Sequence, residues 1–186
     1  MAAPVPAMVR TACFDRSRRY RYALGREWRP DGPRVVFVML NPSAADHRRD
    51  DPTIRRCIAF ARAWGFGALT VVNLFAWRTA HPADLRRVAD PVGPRNDAHL
   101  RAALRGAVLV VRAWGDQGTL LGRDRAVAAL LARAGAPQAV LGLTARDRPR
   151  HPLYLSRATR PIPLAAAVGK DWRAALQAAP GAARRD

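Results

Sequence analysis

The chain has 186 residues, of which 32 are lysine or arginine and 14 are aspartate or glutamate, and its formal net charge is +18. This length fits one ordinary domain, and no apolar run is long enough to predict a membrane span. The charge favours nucleic acid, DNA in the first place, over a small-molecule partner, because arginines that meet phosphates release condensed counterions. The N-terminus has no signal-peptide pattern, so we expect a cytoplasmic protein without membrane association.

The composition gives no sign of a metal or a cofactor. The two cysteines are far apart and outside any CxxC arrangement, which predicts neither a disulfide framework nor a zinc site. Carboxylates cluster at Asp46, Asp50 and Asp51 beside His47, a pattern that would suit Mg²⁺ or Mn²⁺. Helix capping and neutralisation by the flanking arginines explain most of this cluster, so we predict no metal and no cofactor.

The strand pattern predicts a single domain over residues 13–176, with loose tails at 1–12 and 177–186. Alternating aromatic and charged residues near position 20 predict an edge strand or hairpin. Further along, four short apolar runs rich in valine or leucine predict strands that are covered on both faces. These runs are "RVVFVML" (34–40), "ALTVVNLF" (68–75), "AVLVVRAW" (107–114) and "QAVLGL" (138–143).

Helical periodicity lies between these apolar runs. After the first run, Asp51 can cap a helix that starts at Pro52, and Gly65 can end it. The segments "NDAHLRAALRG" and "GRDRAVAALLARAG" have helical patterns after the second and third runs. The alternation of strands and helices predicts an α/β fold, a three-layer α/β/α sandwich with a mostly parallel central sheet.

In such a fold the ligand site lies at the carboxyl ends of the strands, where four loops would converge. Asn41 and Ser43 offer an amide and a hydroxyl there, and Pro42 prevents the strand ladder from continuing. This tripeptide could hold a water or a substrate carbonyl, although alone it favours an ordinary turn. Asp46 has no evident structural task, so we place it second to Asn41 as a group that orients or activates water.

The other strand ends also carry candidate residues. Asn73 lies in an apolar strand, and its amide would match the edge of a base on which Phe75 could stack. Trp114 and Gly115 precede a helix start that could hold a phosphate beside Arg123.

His151 lies between prolines in a polar, arginine-rich loop and not on an apolar face. Burial as a core histidine is therefore the less natural interpretation. A neutral imidazole in such a loop could donate a hydrogen bond to negative charge that develops on a leaving group.

Taken in order, several motifs closely resemble the bacterial family named domain of unknown function 1643. They are "MLNPSAAD", "DDPTIRRCIAFARAWGFGALTVVNLFAWR", "DPVGPRND", "AWGDQGTLLGRD" and "RHPLYLS". The resemblance covers about residues 20–164, and the family name implies no activity.

A more distant similarity links "LNPS", "VVNL", "VVRAWG" and "HPLYLS" to motifs that occur in the same order in the uracil-DNA glycosylase superfamily. The resemblance implies that superfamily's fold, a parallel sheet between helices. It also implies that Asn41 positions water and that Asn73 reads the edge of the base. His151 would stabilise the departing base, and Leu155 would enter the duplex as a wedge.

Three functions stay open at this point. The first is a hydrolase that cleaves the N-glycosidic bond of an altered base in nucleic acid, with Asn41, Asp46 and His151 as catalytic residues. The second is a non-catalytic nucleic-acid-binding module, and the third is an enzyme acting on free nucleosides or nucleotides. The predicted substrate-binding residues are Pro42, Ser43, Asn73, Phe75, Trp114, Gly115, Arg123 and Leu155.

Overall fold

Seven strands form one mixed sheet in the computed structural model, which describes residues 7–164. In chain order the strands are β1 (Val9–Phe14), β2 (Arg21–Glu27), β3 (Arg34–Met39), β4 (Ala68–Asn73), β5 (Leu109–Arg112), β6 (Gln138–Val140) and β7 (Ile162–Pro163). Their spatial order is β1-β2-β4-β3-β5-β6-β7. The four central strands β4, β3, β5 and β6 are parallel, whereas β1, β2 and β7 extend the edges in antiparallel pairing. The predicted mostly parallel sheet is therefore a mixed sheet with a parallel centre.

Helices cover both faces of the sheet because side chains alternate along each buried strand. The helices are α1 (Pro52–Ala63), α2 (Asn96–Leu104) and α3 (Arg123–Ala134). Phe37 and Met39 of β3 share one core cluster with α1, and Val36 and Val38 share the other with α2 and α3. The continuous apolar runs of the sequence thus supply two cores, one on each face of the sheet.

The start of α1 is built as its sequence predicts. The Asp51 carboxylate accepts a hydrogen bond from the backbone N–H of Ile54 at 2.9 Å, and Pro52 occupies the first turn, where its missing N–H is not needed. This cap fixes the position at which the chain leaves the segment after β3 and enters the helix. Both α1 and that segment contribute to the functional site.

The predicted N-terminal tail is partly wrong, since β1 begins at Val9 and adds an edge strand beside β2. The first three residues of β1 are exposed and the last three are partly buried, so backbone pairing with β2 holds the strand together with limited packing, such as that of Ala12 on the core. The predicted C-terminal tail, residues 177–186, lies outside the described residues. Over 7–164, no helix has the length and apolarity required to cross a membrane.

Candidate functional site

A cleft of about 530 Å³ opens beyond the carboxyl ends of β3 and β5. The segment after β3, the start of α1, the segment after β4, the turn after β5 and the loop around residue 151 form its walls. Parallel strands bring these loops to the same edge of the sheet. Five of the predicted site residues line the cleft: Asn41, Ser43, Trp114, Gly115 and His151.

The Asn41 amide both holds the chain and leaves an acceptor free. Its Nδ2 donates hydrogen bonds to the carbonyl oxygens of Pro42 at 3.0 Å and Thr79 at 2.9 Å. These bonds fix the orientation of the amide, and its Oδ1 has no hydrogen-bond partner in the described part of the chain. Asn41 therefore turns the chain after β3 and also presents a positioned acceptor in a residue that lines the cleft.

His151 lies at the solvent-exposed mouth of the cleft. Its Nδ1 accepts a hydrogen bond from the backbone N–H of Leu153 at 3.3 Å, so the neutral ring carries its proton on Nε2. Although the residue as a whole is exposed, partial burial of its ring lowers the pKa below the usual 6.5, and the nearby carboxylate of Asp51 opposes this shift. At neutral pH the side chain is an uncharged imidazole with one N–H donor.

Arg21 is a cleft residue that the sequence patterns did not reveal. Only 2% of its surface is exposed, and its Nη1 donates to the carbonyl oxygen of Ala45 at 2.6 Å. A bulge in β2 places it there. Cys13 pairs with Ala23 and Phe14 with Arg21, so Tyr22 is the extra residue between them.

The bulge changes the face to which each neighbouring side chain points. Tyr22 stacks on His99 of α2, with ring centroids 4.7 Å apart, on one face of the sheet. Arg21 turns to the opposite face and lines the cleft beside Met39. Regular alternation along "RYRY" assigns these two side chains to the reverse faces, so the sequence pattern does not point to Arg21 as a cleft residue.

Two carboxylates also line the cleft. Asp51 caps α1 and in addition accepts a hydrogen bond from the backbone N–H of Ala45 at 3.3 Å, so both of its oxygens are engaged. Asp116 lies exposed at the mouth, where it accepts a hydrogen bond from the Thr144 hydroxyl at 2.5 Å. The sequence predicts only a capping role for Asp51, because a helix-cap pattern does not show which cavity the carboxylate faces.

The turn after β5 connects the apolar wall of the cleft to the His151 loop. The indole of Trp114 is almost fully buried and packs against Gly118. Gly115 has a φ of 71° with open space where a side chain would start, and its N–H donates to the carbonyl oxygen of Pro149 at 2.8 Å. The positive φ lets the chain turn tightly and leaves the cleft open at this point.

The family model described as "Protein of unknown function (DUF1643)" matches residues 21–153. The chain belongs to this family. The matched range begins at Arg21, and every residue that lines the cleft lies within it. A search of curated proteins and a search of solved structures found no match to the chain.

Asn73 does not line the cleft of this DUF1643 chain. It is 1% exposed, in register with Met39, and neither atom of its amide has a hydrogen-bond partner. The Nδ2 of Asn96 donates instead to the backbone carbonyl of Asn73. The carboxamide is thus buried at the strand position paired with Met39, with both of its polar atoms unpaired, and Asn73 is not among the residues that line the cleft.

Asp46 has a structural role that the sequence did not predict, since it holds the turn of the chain that follows it. Its Oδ1 accepts hydrogen bonds from the backbone N–H groups of Arg48 at 2.7 Å and Arg49 at 2.9 Å, which lower the pKa of the carboxyl. It does not line the cleft. Asp50, its neighbour in the carboxylate cluster, pairs with Arg26 and Arg10. Within residues 7–164, no group of three or more His, Cys, Asp or Glu side chains could hold a metal ion.

Two other predicted binding residues belong to the core opposite α1. Phe75 is fully buried there and has no free face for a base. Arg123 is buried as well, where its Nε donates to the carbonyl oxygen of Leu74 at 2.8 Å and its Nη2 pairs with Asp97. Arg123 therefore fixes the end of β4 to the starts of α2 and α3 and does not face the cleft.

Leu155, the predicted duplex wedge, packs in the core cluster on the α1 face and is only 8% exposed. The preceding side chain, Tyr154, is 90% exposed and is the residue of this loop that faces solvent. Pro42 is buried and contributes its carbonyl, which accepts from Thr79 and from Asn41, to the turn after β3. In the "HPLYLS" loop Tyr154, and not Leu155, is therefore the side chain that points outward.

Proposed function

We propose that the protein is a hydrolase that cleaves the N-glycosidic bond between a base and its sugar, in nucleic acid or in a free nucleotide. The observation that supports this proposal is the pairing of Asn41 and His151 in one cleft. Asn41 offers a fixed acceptor and His151 a neutral donor, which are the two groups that hydrolysis of this bond requires. A volume near 530 Å³ accommodates a ligand of nucleotide size.

In the proposed reaction Asn41 Oδ1 accepts a hydrogen bond from a water and holds it against the anomeric carbon of the sugar. The bond from that carbon to the base nitrogen breaks, its electron pair leaves with the base, and the water oxygen bonds to the carbon. The water's proton passes to solvent, and the base anion takes up a proton. The products are a free base and a sugar hydroxyl, so no oxidant or cofactor is consumed.

His151 and Asp51 would act on the two charges that develop. The Nε2–H of His151 donates a hydrogen bond to the base as negative charge grows on it. The Asp51 carboxylate, held by two backbone N–H groups in the cleft wall, favours the positive charge on the sugar. A fixed donor and a fixed carboxylate need no reorganisation during the reaction.

The architecture agrees with the finer fold prediction, a three-layer sandwich like that of the uracil-DNA glycosylases, which we retain as part of the proposal. Helices lie on both faces of one sheet, and the "LNPS", "AWG" and "HPLYLS" segments meet at its edge. Cys13 and Cys57 are free thiols, which is consistent with action in the reducing cytoplasm.

A second candidate, a nucleic-acid-binding module without catalysis, is favoured by the loop that carries His151. Tyr154 is nearly fully exposed, and the same segment holds exposed arginines. An exposed aromatic ring among cations can stack on a base while the cations contact phosphates. The exposed arginines of this segment are Arg146, Arg150, Arg157 and Arg160.

The test measures released base by chromatography and abasic sites by alkaline strand cleavage. The substrates are oligonucleotides that carry altered bases, free nucleotides and nucleosides. Wild type should release base from at least one class, and Asn41→Ala and His151→Ala should release much less. No release from any class would exclude the hydrolase. Binding of oligonucleotides that weakens steeply with salt and survives Asn41→Ala would then select the binding module.

A further inference from the structure

Arg21 differs from the other buried arginines of the described chain in having no carboxylate partner. Three arginines are buried: Arg21, Arg26 and Arg123. Arg26 pairs with Asp50 at 2.8 Å, and Arg123 pairs with Asp97. The Nε of Arg21 is buried without any partner, and no carboxylate lies within ion-pair distance. A buried cation without a counter-charge is unfavourable unless a ligand supplies that charge.

The surroundings of Arg21 contain further donors for an anion. The hydroxyls of Ser43 and Thr53 line the same cleft, and neither makes a hydrogen bond within residues 7–164. We call Arg21, Ser43 and Thr53 the anion subsite. The Asp51 carboxylate is the negative group nearby, but its oxygens are already engaged by the N–H groups of Ile54 and Ala45.

The guanidinium remains charged under physiological conditions. The pKa of Arg21 is lowered to about 10, mainly by burial and to a smaller extent by Arg78 and Arg26, while Asp51 opposes this shift. A group with this pKa is protonated at neutral pH. The anion subsite therefore presents a permanent positive charge in a place from which water is largely excluded, where its attraction for an anion is strong.

The depth of each group in the cleft fixes a direction for the ligand. Arg21 is 2% exposed and forms the floor, Asn41 is half-buried, and His151 is exposed at the mouth. Under the proposed function Asn41 serves the sugar and His151 serves the base. A nucleotide in that orientation has its phosphate at the floor. A nucleotide extruded from a strand would enter with its base first and leave its phosphates outside.

We propose that the anion subsite binds the terminal phosphate of a free nucleotide, which enters the cleft phosphate first. The orientation of the nucleotide depends on the proposed function. The anion subsite does not depend on it, because it is inferred from the buried Arg21 without a carboxylate partner. The substrate class is thus a nucleoside monophosphate, and internal phosphodiesters of a nucleic acid strand do not reach the floor. Arg21, Ser43 and Thr53 offer a guanidinium and two hydroxyls as donors to the phosphate oxygens.

Isothermal titration calorimetry tests this proposal in an Asn41→Ala background, in which the ligand is not consumed. The probes are nucleoside 5′-monophosphates, the matching nucleosides and an unphosphorylated oligonucleotide. We expect each monophosphate that binds to do so about 10- to 100-fold more tightly than its nucleoside, the gain of charge-assisted hydrogen bonds. Added Arg21→Met should abolish this preference, and Arg21→Lys should retain part of it. Arg16→Met, which removes an exposed arginine outside both the cleft and the loop that carries His151, is the matched control.

Two results would overturn the proposal. Equal affinity for nucleotide and nucleoside in the parent protein would exclude the anion subsite without any further variant. An undiminished preference for the monophosphate in Arg21→Met would show that Arg21 does not bind the phosphate. Circular dichroism establishes that Arg21→Met is folded, and Arg21→Gln replaces it if it is not. This experiment measures binding and not base release. The anion subsite can therefore be tested even if the protein does not hydrolyse any N-glycosidic bond.

Discussion

Strand β2 carries two buried arginines with opposite tasks. Arg26 pairs with Asp50 and donates to the backbone carbonyls of Thr11, Gly25 and Asp46, so it fixes the loop after β3 to the edge of the sheet. We call this group the Arg26 network. Arg21, on the same strand and buried to the same degree, has one carbonyl partner and faces the cleft. Burial of an arginine therefore does not by itself indicate a ligand site. In our proposal, the absence of a carboxylate partner distinguishes Arg21 as the ligand-binding arginine.

The largest effect should come from breaking the Arg26 network. Arg26→Met should lower the free energy of unfolding by about 3–5 kcal/mol, because Asp50 and three carbonyls lose a buried partner. Arg21→Met should change it by no more than about 1 kcal/mol, because one hydrogen bond is lost while an uncompensated charge is removed. Urea denaturation measures both. An equally large loss in Arg21→Met would show that Arg21 is structural too.

The second largest effect should be on catalysis, from a substitution in the cleft that leaves the Arg26 network unchanged. His151→Ala should slow release of the base about 10²- to 10³-fold, the loss of one donor to a developing anion. The free energy of unfolding should change little, since the residue is largely exposed and accepts a single long hydrogen bond, from the Leu153 N–H at 3.3 Å. A first-order rate under single-turnover conditions gives the answer. An unchanged rate would remove His151 from the mechanism.

A third, smaller effect is the pH dependence of stability that His151 contributes in the cleft. Because its folded pKa lies below 6.5, His151 binds a proton less readily in the folded chain than in the unfolded one. Its stabilising contribution is present above pH 6.5 and falls as the pH drops toward the folded pKa. His151→Gln should therefore lose less stability than wild type between pH 7 and 5 in urea titrations. His99, whose pKa is also lowered by burial, shifts the same curve, so both chains are compared with His99 intact.

The smallest effect is expected at Asp46. The Oδ1 of an asparagine can accept the same two hydrogen bonds from Arg48 and Arg49, so Asp46→Asn should preserve the loop. Base release should be unchanged, because the side chain does not line the cleft. The single-turnover rate and the thermal midpoint check this. A rate that falls as far as that of His151→Ala would place Asp46 back among the catalytic residues.

Local patterns predicted the local structure and the position of the site. The Asp51-Pro52 cap, the four apolar strands and the helices that end near Gly65, Gly106 and Gly135 follow from the sequence because each depends on neighbouring residues. Strand ends of a parallel sheet meet at one edge, and this rule placed Asn41 and His151 together.

Features that depend on a one-residue shift in strand register, or on a partner distant in sequence, could not be predicted from the sequence. The bulge at Tyr22 reverses the faces of Arg21 and Tyr22, and nothing in "RYRY" announces it. Arg123 looked like a phosphate ligand because its partner Asp97 is distant in sequence. The first depends on the register between β1 and β2 and the second on a partner 26 residues away, and the apolar periodicity of a segment encodes neither.

A crystal structure of Asn41→Ala with a nucleoside monophosphate bound tests the proposed ligand orientation most directly. We expect the phosphate at the floor of the cleft, with its oxygens about 2.8 Å from the guanidinium nitrogens of Arg21. The sugar would lie beside position 41 and the base beside His151. A nucleotide bound in the reverse direction, with its base against Arg21, or bound outside the cleft would show that this orientation is wrong.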